Sequence, residues 1–263
     1  MTDALAGLPV WLINLERAAD RRARMSEQLE RLGLAYTLFP GVDGKAERER
    51  LLQSVDVPAF ERNTGRRVLP GDMGCHHSRI GVWRAFLDSG APVALILEDD
   101  VVFHDDFREA LAVALRAQEH WDLLKLNRIR AKLPVSQGRL GAYALNAYVG
   151  PCTGNGAYLI KEAAARRILP GMLPMTRATD HEINRYFVHD FRLRGLEPFP
   201  SHVDDGNVSQ ITGTGFADVR KLSPLERLPY YRLKTANYVR RIWWMLRKGE
   251  LWPKGRQLPG RAQ

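Results

Sequence analysis

The sequence has almost no means of covalent cross-linking: two cysteines, Cys75 and Cys152, in 263 residues. Two thiols that far apart make no disulfide framework, and they point to a reducing compartment. No apolar run approaches the ~20 residues a bilayer-spanning helix requires, so the expectation is a soluble or membrane-peripheral protein. The opening residues MTDALAGLPVWLINL have no basic stretch ahead of their apolar ones. They read as a first strand, not as a secretory signal. Neither an internal repeat nor a low-complexity segment is present, which argues against a solenoid or a disordered chain.

What is present is apolar material, 45% of the chain, enough for one domain of the larger kind, or for one domain plus an appendage. The charge is unevenly placed. Residues 1–218 carry 27 Lys and Arg against 28 Asp and Glu, a net of −1, whereas residues 219–263 carry 12 against 2, a net of +10. A nucleic-acid-binding domain would spread its basic residues over the fold, so no nucleic-acid partner is expected despite an isoelectric point near 9.8.

The centre of the pattern is Ala91–Phe103, APVALILEDDVVF. Val93 to Leu97 is a short apolar run behind a Ser-Gly-Ala-Pro turn, which predicts a strand buried on both faces. It stops on Glu98, Asp99 and Asp100. Three successive carboxylates repel one another unless something positive sits among them. At the carboxyl end of an α/β strand they suit a hard divalent cation carrying a substrate phosphate. The competing reading is a solvated acidic turn in which Asp99 or Asp100 caps a helix.

Around this stretch the chain alternates strand and helix patterns. Val10–Leu15 reads as a strand, followed by a helix to about Leu32, and Ala35–Phe39 as the next strand. Asn14 falls at a strand's carboxyl end, with Arg17 and Arg21 one helical turn apart beyond it, either facing an anion or solvated. A charged helix is expected over 46–53, irregular chain over 56–70, and a helix opening at Gly71 with Asp72 as N-cap. Cys75 near that start is either a nucleophile or a small buried residue. Asp105 is expected to cap the helix after the acidic stretch. Trp121–Asn127 reads as a buried strand with Lys125 near its end, residues 130–142 as a variable loop, and Tyr143–Val149 as a strand. Thr153–Tyr158 is a small-residue turn, including Asn155 and Gly156, that lets backbone approach a ligand closely. Lys161–Leu169 is expected to be helical. Thr179-Asp180-His181-Glu182 opens a further helix with Thr179 or Asp180 at N-cap. Ser201–Asp205 offers His202, Asp204 and Asp205 as metal or sugar ligands, or a polar turn. The order predicts an α/β fold with a mostly parallel sheet flanked by helices.

Four blocks in this order, VWLINLERAADRR, PGDMGCHHSRIGVWRAF, ALILEDDVVF and TGNGAYLI, make the chain resemble glycosyltransferase family 25. These are the lipopolysaccharide-type β-galactosyltransferases, with collagen-modifying relatives. The resemblance implies a GT-A-type fold over residues 1–218 that binds a nucleotide-sugar, usually UDP-galactose. It implies Mn²⁺ or Mg²⁺ held by Asp100, with Glu98 or Asp99 helping directly or through water; His202 and Asp204 of the later polar stretch are the further candidate metal ligands. The donor would meet Asn14, Leu15, Arg17, Arg21, Ser78, Glu98, Asp99, Lys125, Asn155 and Gly156. Inversion at the sugar carbon requires a base, and Asp180 is the leading candidate. The acceptor implied is a lipid-linked saccharide, in the cytoplasm at the inner face of the membrane. One departure stands out: Arg79 replaces the histidine that commonly comes after the serine in the family, leaving that role to His76, to His77, or to no residue. Another metal-dependent nucleotide-handling activity, such as nucleotidyl transfer, would use the same carboxylates.

Residues 219–263 are read as a separate basic, aromatic segment. Wound as a helix, Leu228, Tyr231, Tyr238, Val239, Ile242, Trp243, Met245 and Leu246 share a face, while Arg240, Arg241, Arg247 and Lys248 lie opposite. Such a helix suits an anionic membrane surface, or else it docks its aromatics on the α/β core. On the membrane reading, a chain ending at Asp218 is expected to stay folded.

Overall fold

A computed structural model describes residues 5–204 and 219–258. Its framework is an eight-stranded sheet with helices on both faces. In chain order the first half runs β1 (Val10–Asn14), α1 (Ala19–Arg31), β2 (Thr37–Pro40), α2 (Arg48–Leu52), α3 (Val57–Thr64), α4 (Pro70–Asp88), β3 (Val93–Glu98), β4 (Val101–Phe103) and α5 (Phe107–Arg116). The second half runs β5 (Leu123–Lys125), β6 (Arg130–Ala131), β7 (Pro134–Leu140), β8 (Tyr143–Tyr148), β9 (Cys152–Thr153), β10 (Ala157–Lys161), α6 (Glu162–Ile168), α7 (Thr179–Ile183), α8 (Tyr186–His189), β11 (Leu193–Glu197), β12 (Ser201–Val203) and α9 (Leu228–Arg247). The sheet order is β2-β1-β3-β10-β5-β11-β8-β7. β2, β1, β3, β5, β11 and β7 point one way, and β10 and β8 run against them. The sheet is therefore mostly parallel, with two reversed strands.

β3 is buried on both faces, as its composition predicts. Leu95 and Leu97 join a cluster with Met25 and Leu29 of α1 and Phe107 and Leu111 of α5. Ala94 and Ile96 face the opposite cluster, with Trp83 and Phe86 of α4, Ile168 of α6, and Trp244 and Met245 of α9. This is the three-layer arrangement expected of alternating strands and helices.

Several local expectations are corrected. The stretch 56–70 is not irregular: α3 is capped by Asp56, whose side chain accepts the Ala59 N–H at 2.9 Å, and it ends on Gly65 at φ 69°. Pro58 sits in its first turn, where proline is tolerated, and does not break the helix. The loop expected over 130–142 contains β7, which forms a hairpin with β8. The turn over 153–158 is partly β10, inserted between β3 and β5. Leu69, not Asp72, is the N-cap of α4; Asp72 lies at the third position and accepts the Leu69 N–H at 3.0 Å. Asp106, not Asp105, precedes α5. Ala178 occupies the N-cap of α7, so neither Thr179 nor Asp180 does.

The boundary drawn after Asp218 is not a boundary of packing. Trp244 and Met245 belong to one core cluster and Leu258 to another. Arg194 of β11 pairs with Glu250 at 2.5 Å, both buried. Among the described residues no helix is long and apolar enough to cross a membrane.

Candidate active site

β1 and β3 are parallel neighbours with Ile13 opposite Glu98. The loop leaving β1 therefore faces the acidic turn leaving β3, and a cleft opens at their carboxyl ends. Its cavity volume is about 140 Å³, and it opens to solvent. One wall carries Leu15, Arg17 and Arg21; the floor carries Glu98, Asp99 and Asp100; the far wall is the turn 41–45 against the start of α4. That wall depends on close backbone contact. A Cβ on Gly44 would overlap the Pro70 carbonyl oxygen, and one on Gly74 would lie 2.5 Å from the Val42 oxygen. Ser78 locks the contact: its hydroxyl accepts the Val42 N–H at 2.7 Å and donates to the Gly74 carbonyl at 2.7 Å. Sequence reasoning does not mark the turn 41–45 as part of a site; the available signal is the pair of glycines Gly41 and Gly44.

The acidic turn is held by cations and amides that divide its charge unequally. Asn14 donates to Asp99 at 2.6 Å and to the Ala18 carbonyl at 3.1 Å. Arg21 reaches Asp99 at 3.3 Å and Asp100 at 4.0 Å. Glu98 is paired with the fully buried Arg79, whose guanidinium also donates to the Tyr158 hydroxyl at 3.1 Å. Burial opposes the charge on Arg79, but Tyr158 and Glu98 more than offset it, and its pKa rises. Asp100 has no comparable support. Burial first, then the charges of Glu98 and Asp99, push its carboxyl up to about 7. Burial also raises Asp99 against the pull of Asn14 and Arg21. Among the described residues the buried Asp100 Oδ1 has no hydrogen-bond partner.

An orphaned carboxylate oxygen beside a second raised carboxylate fits a bound divalent cation, whose charge would ionise both. The fit concerns Asp99 and Asp100 more than Glu98, which is already paired with Arg79. Among the described residues no cluster of three or more His, Cys, Asp or Glu side chains stands ready for a metal, so substrate oxygens and water would complete the shell.

Other predicted residues lie around the cleft. Lys125 and Asn155 are buried behind its floor, bonded to each other, and Lys125 also reaches the Gly154 carbonyl at 2.5 Å. Burial lowers the Lys125 pKa to about 8. The Gly156 carbonyl accepts the Glu98 N–H at 2.7 Å, and a Cβ there would lie 2.6 Å from Asn127. These three residues back the floor and do not line the cleft. β12 pairs with β4, and the Asp204 N–H reaches the Asp100 carbonyl at 2.9 Å, which brings Asp204 beside the acidic turn. His202 is exposed and bonded to His104 at 2.8 Å. Asp205 lies outside the described residues.

Neither histidine substitutes at the Arg79 position. His76 is buried between Thr179 and the Met172 carbonyl, at 2.9 and 2.8 Å, and burial lowers its pKa to about 4. His77 bonds Ser54 at 2.8 Å. The Cys75 thiol lines the cleft, but burial and then Glu98 push it up to about 12, which leaves it protonated and a poor nucleophile. Asp180, half-buried on α7, makes one local bond, to the His181 N–H at 2.8 Å. Its charge is felt at Arg66, Cys75 and Lys125, so it lies toward the α4 side of the site.

The sequence model described as glycosyltransferase family 25 (LPS biosynthesis protein) matches residues 8–183. Procollagen galactosyltransferase 1 of Danio rerio is 28% identical over 238 residues, covering 79% of this chain and 39% of the relative. A glycosyltransferase 25 family member of Aedes aegypti is 26% identical, covering 76% and 37%. Procollagen galactosyltransferase 2 of Homo sapiens is 30% identical over 132 residues, covering 47% and 21%. The chain thus spans about two fifths of the length of the first two relatives. All four blocks that line or support the cleft fall inside the matched residues, and the chain belongs to glycosyltransferase family 25.

Proposed function

We propose that the protein is an inverting, metal-dependent glycosyltransferase that moves galactose from UDP-galactose to a lipopolysaccharide-type saccharide acceptor. The observation that carries the reading is the Asp100 carboxylate, whose buried Oδ1 has no hydrogen-bond partner among the described residues, on the floor of a cleft at the carboxyl ends of β1 and β3. Galactose is favoured by the names of the relatives, and the acceptor class by the family's description. A lipid-linked acceptor would place the reaction in the cytoplasm, at the inner face of the membrane.

In this reading the acceptor hydroxyl oxygen forms a bond to the anomeric carbon as the bond from that carbon to the β-phosphate oxygen breaks. The electron pair leaves with UDP. Bound Mn²⁺ or Mg²⁺ would supply Lewis-acid stabilisation of the diphosphate, with Asp100 and Asp99 holding it and Asp204 adjacent. Arg79 pairs with Glu98 and holds it in place on the floor of the cleft. Arg21 and Arg17 offer cations to the diphosphate from the β1 side. Asp180 takes the acceptor's proton.

The deciding experiment is a panel of UDP-sugars incubated with the protein with and without Mn²⁺. Metal-stimulated release of UDP from UDP-galactose is the expected result. Release of pyrophosphate from a nucleoside triphosphate, with no UDP, would favour nucleotidyl transfer.

A further inference from the structure

α9 is amphipathic twice over. Its inner side carries Arg241, Trp244 and Met245, all buried. Arg241 donates to the Val149 and Asn184 carbonyls at 2.8 and 3.1 Å, and Trp244 donates to Asp190 at 2.9 Å. With the core docked there, the opposite side should be polar. Instead Leu228, Tyr231, Val239, Ile242, Trp243 and Leu246 are all exposed, Val239 by 63% and Trp243 by 60%. At 100° per residue they form one stripe along the helix, opposite Trp244. Single exposed apolar residues need no explanation, but a contiguous stripe does.

The charges around the stripe say what covers it. α9 contains no Asp or Glu, and Arg232, Arg240 and Arg247 are exposed within or beside the stripe. The only acids in residues 219–263 are Glu226 and Glu250. Glu250 is buried against Arg194. A second copy of this face would set cation against cation, so self-association is disfavoured. Apolar side chains that include a tryptophan, with arginines among and beside them, match the boundary of an anionic bilayer, with acyl chains for one group and phosphates for the other.

We infer that the outward face of α9 binds the surface of an anionic membrane while the inward face remains docked on the core. Membrane attachment is then a property of the folded enzyme and not of a detachable tail. The surface does not depend on the reaction proposed above, and its test requires no turnover.

The full chain is sedimented with phosphatidylcholine vesicles, with and without phosphatidylglycerol. Binding is expected only with phosphatidylglycerol, and it should weaken as salt is raised. Val239→Glu with Trp243→Glu, or Arg240→Glu with Arg247→Glu, is expected to lower the bound fraction at least about tenfold. The melting temperature without vesicles should not change, because these side chains are exposed. Failure of the full chain to bind anionic vesicles overturns the inference, as does binding that these variants leave intact. A melting temperature lowered by the Glu variants shows the face to be covered within the chain. Concentration-dependent dimers lost in the same variants show it to be covered by a second copy. Either result overturns the inference.

Discussion

Asp100→Asn keeps the size of the side chain and removes one charge from the floor of the cleft. If Asp100 holds the metal, turnover should fall by about 100-fold or more with the fold intact, since a preorganised electrostatic contact is worth a few kcal/mol. Near wild-type turnover would remove Asp100 from the site. The same substitution has a signature in the metal-free protein. A carboxyl raised from 3.8 to about 7 keeps its proton in the folded state after the unfolded chain has released it. Its contribution is therefore undiminished below the unfolded pKa and is lost as pH rises toward 7. The melting temperature of Asp100→Asn, relative to wild type, should climb across that window, and a flat difference would contradict the buried, unsupported state of Asp100. Arg79 makes a second case. Arg79→Met strands Glu98 and should cost about 3 kcal/mol, with Glu98→Gln recovering part of it. Additive losses in the double-mutant cycle would mean the pair is not coupled. If Asp180 is the base, Asp180→Asn should lower kcat and leave UDP affinity nearly unchanged, because a base acts on the acceptor. A drop in melting temperature alone would leave it a structural residue. The acidic residues are legible because a strand that ends on three carboxylates is a pattern in one stretch of chain. The Arg79 partnership is not, because only the fold brings α4 beside β3.

Elements are legible where one period dominates and are missed where burial is shared. β3 reads as a strand because both faces meet apolar neighbours. β7 reads as loop because PVSQGRL mixes Pro, Gly and polar residues, yet Val135, Gln137 and Leu140 are buried. Gln137 is satisfied there by the Glu250 carbonyl at 2.8 Å, a partner 113 residues away that no local pattern announces. α9 reads as one apolar face against one basic face, whereas its two faces are in fact core and solvent. Adjacent tryptophans should therefore behave very differently. Trp244→Ala should cost about 3–5 kcal/mol as a core truncation, and Trp243→Ala no more than about 0.5 kcal/mol as a surface change. Equal losses in thermal melts would contradict the orientation of the helix. A chain ending at Asp218 should lack a cooperative melt, since it loses Trp244, Met245 and Leu258 from two core clusters together.

For the molecule as a whole, a ligand that binds only the folded state adds about 2.7 kcal/mol at 100 times its dissociation constant. Mn²⁺ should raise the melting temperature at about pH 8 and do little at about pH 5, where protons compete for Asp100. Asp100→Asn should remove the effect, and stabilisation that survives in the variant would point to a different cation site. The alternation of strand and helix makes the layered architecture readable, whereas the reversed strands β10 and β8 are not, because direction within a sheet leaves little trace in composition. The far edge of that sheet has its own consequence. β7 is the outermost strand, and residues 254–258 run along its free side, with Lys254 N–H on the Ser136 carbonyl at 2.7 Å and Leu258 N–H on the Arg139 carbonyl at 2.8 Å. Leu258 also fills the space left by Gly138. Any chain cut short of Lys254, by a protease, a stop codon or a ribosome still at work, presents that row of backbone groups bare. Open edges recruit strands from other molecules, so such fragments should be lost to aggregation before they are lost to inactivity.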